Sequence, residues 1–113
     1  MNSREPKNRV QVIGLDGAVP EIIDKLIADG RMPNMAKVYD RGAHGILKST
    51  ILSISSLAWA SFVTGNHPGK HGIFGFEGRE QGSYQTRLMY ATDMRTKPLW
   101  SMLSEAERRI RDD

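Results

Sequence analysis

The chain has 113 residues, 39% of them hydrophobic and 26% charged, with no cysteine, a formal net charge of +3 and a pI near 9.4. That length accommodates one modest core and a single domain, and no stretch approaches the roughly twenty apolar residues that span a bilayer. Without cysteine there are no disulfides, thiolate metal sites or thiol nucleophiles, so any metal must be held by oxygen or imidazole.

Residues 1–8 are polar and charged and read as a disordered tail, not a signal peptide, with the cytoplasm as the default location. The apolar run Val10 to Leu15 predicts a buried parallel strand, ending at Asp16-Gly17. Pro20 then opens a helix whose Ile22, Ile23, Leu26 and Ile27 form one stripe, closed by Gly30. Asn34 is positioned to cap a shorter helix carrying Met35, Val38 and Tyr39, with Gly42 ending it in the left-handed conformation. Gly45 to Thr50 predicts a second strand, and strand, helical crossover and strand together imply parallel pairing.

The serine-rich loop Ser53, Ser55 and Ser56 precedes a third helix over Leu57 to Val63, with Trp59, Phe62 and Val63 on its expected buried face and Thr64-Gly65 at its end. Asn66 to Gly72 reads as a loop, Ile73 to Phe76 as a short apolar stretch, and Tyr84, Thr86, Leu88 and Tyr90 alternate like an edge strand. Pro98 opens a last helix in which Leu99, Met102, Leu103, Ala106 and Ile110 line one face. Arg108, Arg109 and Arg111 lie among acidic neighbours and read as a solvated helix face. The fold class expected is α/β, a partial doubly wound domain over residues 9–113 with its parallel sheet incomplete at the C-terminus.

Several residues carry candidate chemistry. Asp16 lies where open α/β sheets bind ligands, beyond the carboxyl end of a strand, although an Asp-Gly pair also makes an ordinary turn. The serines stand at a helix start, which favours an oxyanion, although serine is equally a common loop and capping residue. His67 and His71 have an i, i+4 spacing, but Pro68 and Gly69 between them favour a loop-ordering turn over a helical metal pair. Gly69-Lys70 lacks both the earlier glycine and the following Ser or Thr of a phosphate-binding loop, and Gly14-x-x-Gly17 lacks the third glycine of a dinucleotide fingerprint. The positive charge forms no basic stripe interleaved with aromatics, so nucleic-acid binding is not expected.

Taken in order, Val12-Ile-Gly-Leu-Asp-Gly17, Met32-Pro-Asn34, Arg41-Gly42, Ser49-Thr50, Ala58-Trp59, Ser61-Phe62, Thr64-Gly65, Pro68 and His71-Gly-Ile73 resemble the start of one family. It is the type I phosphodiesterase and nucleotide pyrophosphatase branch of the alkaline phosphatase superfamily. The resemblance implies a doubly wound fold and two divalent cations, usually zinc, between which a Thr or Ser hydroxyl attacks phosphorus. It places a metal ligand at Asp16 and the nucleophile, also a metal ligand, at Ser55, with a phosphoseryl intermediate. The branch commonly surrounds its nucleophile with prolines, where this chain has Leu52, Ser53, Ser56 and Leu57, so Ser53 and Ser56 remain alternatives to Ser55. A phosphate-binding Asn of the nucleotide pyrophosphatases is replaced by Ala58, which leaves nucleotide substrates without support.

The remaining metal ligands of the family belong to later segments. The expectation is therefore an N-terminal portion of a phosphoesterase acting on a phosphate ester, inactive alone. The competing reading is a noncatalytic binding or assembly module, whose open sheet edge pairs with another copy of the chain.

Overall fold

In a computed structural model, the structure describes residues 10–106. The tail expected over residues 1–8, the basic cluster Arg108 to Arg111 and Ile110 of the last helix lie outside the described residues. The chain divides into two compact units, Met1–Ile46 and Leu47–Asp113. No helix among the described residues is long and apolar enough to cross a membrane.

The first unit holds helices α1 (Pro20–Ala28) and α2 (Pro33–Arg41), which pack against each other. Each begins with proline, whose fixed φ suits the first turn and whose missing N–H would have had no intrahelical acceptor. In α1 the half-buried positions are Pro20, Ile23, Leu26 and Ile27, and Ile22 is left 57% exposed. Asn34 does not cap α2. Met32 holds the capping position without a side-chain bond, because Pro33 moves the helix start two residues earlier than expected. Gly42 is extended (φ −121°, ψ 177°) and not left-handed. Its N–H donates to the Val38 carbonyl at 3.0 Å, and a Cβ here would stand 3.2 Å from that oxygen, so close approach and not positive φ favours glycine. The ring of Tyr39 stacks on His44, with centroids 4.2 Å apart.

Neither strand expected at Val10–Leu15 or Gly45–Thr50 forms. Apolar side chains favour a strand only when a neighbouring strand supplies ladder hydrogen bonds, and among the described residues neither segment makes a backbone hydrogen bond to another. Val10, Val12, Ile13 and Leu15 are all more than half exposed, as are Ile46 and Leu47. The sheet among the described residues is instead a two-stranded antiparallel hairpin in the second unit, so the chain mixes helices with a small antiparallel sheet.

That second unit runs through α3 (Ser55–Thr64), α4 (Pro68–His71), β1 (Glu77–Arg79), β2 (Thr86–Leu88), a 3-10 turn at Ala91–Asp93 and α5 (Leu99–Glu105). In the hairpin Glu77 faces Leu88, Gly78 faces Arg87 and Arg79 faces Thr86. The alternating stretch from Tyr84 does contain a strand, shorter than expected because Tyr90 already leads into the 3-10 turn. The last helix starts where Pro98 placed it, with its N-terminal Leu99 and Trp100 partly exposed.

The core sits around α3. Leu57, Ala60 and Ile73 are its buried apolar residues, joined by Thr64 and a fully buried His71. Leu57, Ala60 and Thr64 follow i, i+3, i+7 spacing and so share one helix face. Phe62, expected inside, is 52% exposed and meets Trp59 edge to face at 5.7 Å. The helix is apolar nearly all round, so composition alone does not say which face turns inward; the small residues Ala60 and Thr64 do, by letting α4 approach closely.

Candidate functional site

Helix α3 is anchored at its C-terminal end by a set of polar bonds. The Thr64 hydroxyl donates to the Ala60 carbonyl at 2.7 Å, and the Asn66 side-chain amide donates to the Thr64 carbonyl at 2.8 Å. Gly65 terminates the helix with φ +63°, a left-handed conformation that costs a residue with Cβ about 1 to 2 kcal/mol. These bonds satisfy carbonyl groups that a helix end otherwise leaves to solvent.

His71 ties α4 to α3. The Ile73 backbone N–H donates to Nδ1 of His71 at 3.1 Å, and Nε2 lies 2.9 Å from the Ser61 hydroxyl. Because Nδ1 accepts, it carries no proton, and the neutral ring must therefore hold its proton at Nε2 and donate it to Ser61. Burial, then the nearby His67, push the His71 pKa below the ordinary histidine value. Both ring nitrogens are thus committed, and the imidazole has the wrong tautomer to act as a base toward Ser61. The His67 to His71 stretch does form a helical turn, contrary to the loop expected from Pro68 and Gly69, because proline is well suited to the first helical position. That turn orders the chain.

At the other end of α3, Ser55 is the first helical residue and is half-buried; Ser53 is exposed. Ser56 is half-buried with an Oγ that is itself buried and has no hydrogen-bond partner among the described residues. Ile54 occupies the capping position and provides no side-chain cap, so the first-turn N–H groups are not closed off by a neighbouring oxygen at that position. Just upstream, Leu52 has φ +67°, the single non-glycine residue with positive φ among the described residues. Its carbonyl accepts from the Thr50 hydroxyl at 3.1 Å and from the Ile54 N–H at 2.9 Å, which hold the strained residue in place. Strain of this kind persists where surrounding bonds over-determine the backbone, and it concentrates at functional loops.

Asp16 belongs to the first unit, in an exposed turn with Gly17 at φ +66°. Ser55 belongs to the second. Among the described residues no group of three or more His, Asp and Glu side chains is gathered in a way that could hold a metal ion.

Two features escaped sequence reasoning. One is the pairing of Ser61 with His71 across ten residues; the signal was present, since both residues fall within the motif set, but spacing alone does not say that they touch. The other is a clasp on the hairpin, where Arg87 makes two bonds to Asp93, at 2.9 and 2.7 Å, while Asp93 accepts from the Tyr90 N–H at 2.7 Å. The hydrogen bonds from Arg87, then that from Tyr90, lower the Asp93 pKa to about 2. Asp93 and Arg87 border an open cavity of about 580 Å³, together with Gly72, Arg79, Met89 and Arg95.

Comparison with curated proteins and with solved structures gives no match. The family described as type I phosphodiesterase / nucleotide pyrophosphatase matches residues 10–111. That span is nearly the whole chain, and the chain belongs to this family.

Proposed function

We propose, from its membership of the type I phosphodiesterase / nucleotide pyrophosphatase family, that the chain is the nucleophile-bearing portion of a phosphoesterase, with Ser55 the attacking residue and Asp16 a metal ligand. The observation that carries the reading is the setting of Ser55: the first residue of a helix anchored at its far end, directly after a strained loop and beside a capping position without a side-chain cap. Helix N-termini favour anionic oxygens, which suits a phosphoryl group under attack. In the proposed reaction the Ser55 Oγ gives up its proton and forms a bond to phosphorus, the ester oxygen departs with its electron pair and takes up a proton in exchange, and water then adds its oxygen to phosphorus and returns a proton to Ser55, releasing phosphate or its monoester.

The resemblance implies two divalent cations, with zinc the expected metal. The described residues do not by themselves fit such a pair, since one exposed carboxylate and a hydroxyl fall short of the three or more protein ligands each ion needs. The chain alone is therefore proposed to be inactive. The parallel doubly wound sheet belongs to the same proposal: Val10–Leu15 and Gly45–Thr50 are its strands, and their exposed apolar side chains support this because they match what a sheet would cover.

The test is hydrolysis of an aryl phosphodiester with added Zn²⁺, by this chain and by the chain joined to the later half of a phosphodiesterase domain. Turnover is expected only in the joined protein, and Ser55→Ala is expected to abolish it. Full activity in Ser55→Ala with loss in Ser53→Ala or Ser56→Ala would move the nucleophile, and turnover by the chain alone would refute the proposed inactivity.

The same exposed segments favour a second reading, a noncatalytic assembly module in which copies of the chain pair through unpaired backbone. A dimer in size-exclusion chromatography that ignores chelators supports it; a monomer that binds zinc tightly opposes it.

A further inference from the structure

His71 is completely buried, between a backbone N–H that it accepts and a hydroxyl to which it donates. Its own backbone is also engaged, for its carbonyl accepts from the Arg95 N–H at 3.0 Å and its N–H donates to the His67 carbonyl at 3.2 Å. Four connections thus converge on one residue: to α3 through Ser61, to the core residue Ile73, to the segment before α5 through Arg95, and within α4. We propose that His71 is an acid-sensitive latch, closed while its imidazole is neutral and forced open when Nδ1 is protonated.

The chemistry follows from the donor inventory. A proton added at Nδ1 points at the Ile73 N–H, so two donors face each other across 3.1 Å where a hydrogen bond had been. The new positive charge is shut off from solvent, and the charged group that acts on it is a second base, His67. His67 caps α4 itself, and a further base, Arg95, crosses the adjoining Gly72 closely enough that a Cβ there would lie 3.1 Å from its Cδ and Nε. From α3 the facing group is the neutral Ser61 hydroxyl. Ser61 can still accept from Nε2–H, but the Ile73 N–H and the basic groups resist the charged ring, and the way to relieve them is for the ring to leave the core for solvent, taking α4 away from α3.

The sign is fixed by that resistance. The native pKa of His71 is depressed below the unfolded value of 6.5, so the latch is fully effective above that pH, weakens as pH falls below it, and is lost as pH passes through the lowered native value. Because α3 carries Ser55 and Ser56 in its first turn and the latch partner Ser61 toward its other end, opening would loosen the helix without breaking a bond to either of the first-turn serines.

Nitrogen-15 NMR of the intact chain tests this. At pH 7.5 the His71 ring is expected as the Nε2–H tautomer, with the Ile73 amide protected from exchange. On acidification, His71 protonation, loss of Ile73 protection and a shift of the Trp59 indole N–H resonance are expected to coincide below pH 6.5, and His71→Gln, which does not titrate, is expected to abolish the shared transition. His67→Gln should keep it. A proton found at Nδ1 in the neutral state, an Ile73 amide that stays protected after His71 has titrated, or an unchanged transition in His71→Gln would overturn the proposal. If His71→Gln does not fold, the tautomer and the Ile73 amide of the unaltered chain decide it.

Discussion

Truncating Leu57 to alanine should remove more than half of the stability of the second unit while leaving it folded in water. Leu57 is 2% exposed and is the largest of the apolar residues on the buried face of α3. Removing three carbons forfeits about 2 to 2.5 kcal/mol of transfer free energy, and incomplete collapse of the resulting cavity brings the cost to about 3 kcal/mol. Buried apolar residues in the described core are only Leu57, Ala60 and Ile73, so little else is present to close over the gap. Against a total stability on the order of 5 kcal/mol, the lower end for small domains, that loss is more than half. Urea titration followed by tryptophan fluorescence in a Trp100→Phe background, which leaves Trp59 as the reporter, measures it: with a slope of about 1 to 1.5 kcal/mol per molar, the midpoint should fall by about 2 to 3 M. Phe62→Ala provides the contrast, since a half-exposed ring that meets Trp59 edge to face should cost only about 1 kcal/mol. Equal losses for the two variants would refute the assignment of the buried face.

The Asp93 carboxyl should titrate near pH 2 by NMR. Since its native pKa is depressed, its contribution to holding the hairpin is present above about 3.8 and fades as pH falls toward 2, and Asp93→Asn should remove that dependence while speeding amide exchange at Tyr90. A normal Asp93 pKa would sink the clasp. Leu52→Gly relieves a left-handed leucine worth about 1 to 2 kcal/mol and pays about 0.5 to 1 kcal/mol in chain entropy. The net effect on thermal stability should be neutral to slightly stabilising, and a loss above about 1 kcal/mol would show that the leucine side chain is needed there.

Helix positions were legible wherever local chemistry decides them. Proline at the first turn, the stripe of Ile23, Leu26 and Ile27, and Gly65 after Thr64 each act over a few residues, and α1, α3 and α5 lie close to where those signals put them. The sheet was not legible in the same way. Val10 to Leu15 has the composition of a strand, yet pairing is a property of two segments, and composition says nothing about whether the second is at hand. Phe62 failed for a related reason: it belongs to a helix apolar on more than one side, where only the neighbour determines which side is covered, whereas Ile22 stands on the one stripe of α1 and is exposed at its edge. In the candidate site, Ser55 could be located at a helix start from sequence, whereas the tautomer of His71 could not, because it depends on a backbone N–H that the fold carries to Nδ1.

Ser61, Thr64, Gly65, Pro68, His71, Gly72 and Ile73 bond or pack chiefly with one another and with their immediate surroundings. A lineage could therefore surrender its chemistry and still conserve this cluster, since selection for a folded product alone would preserve it. Such residues testify to ancestry, and a catalyst is better distinguished from its silent descendants by the serines and acids around the cluster than by the cluster itself.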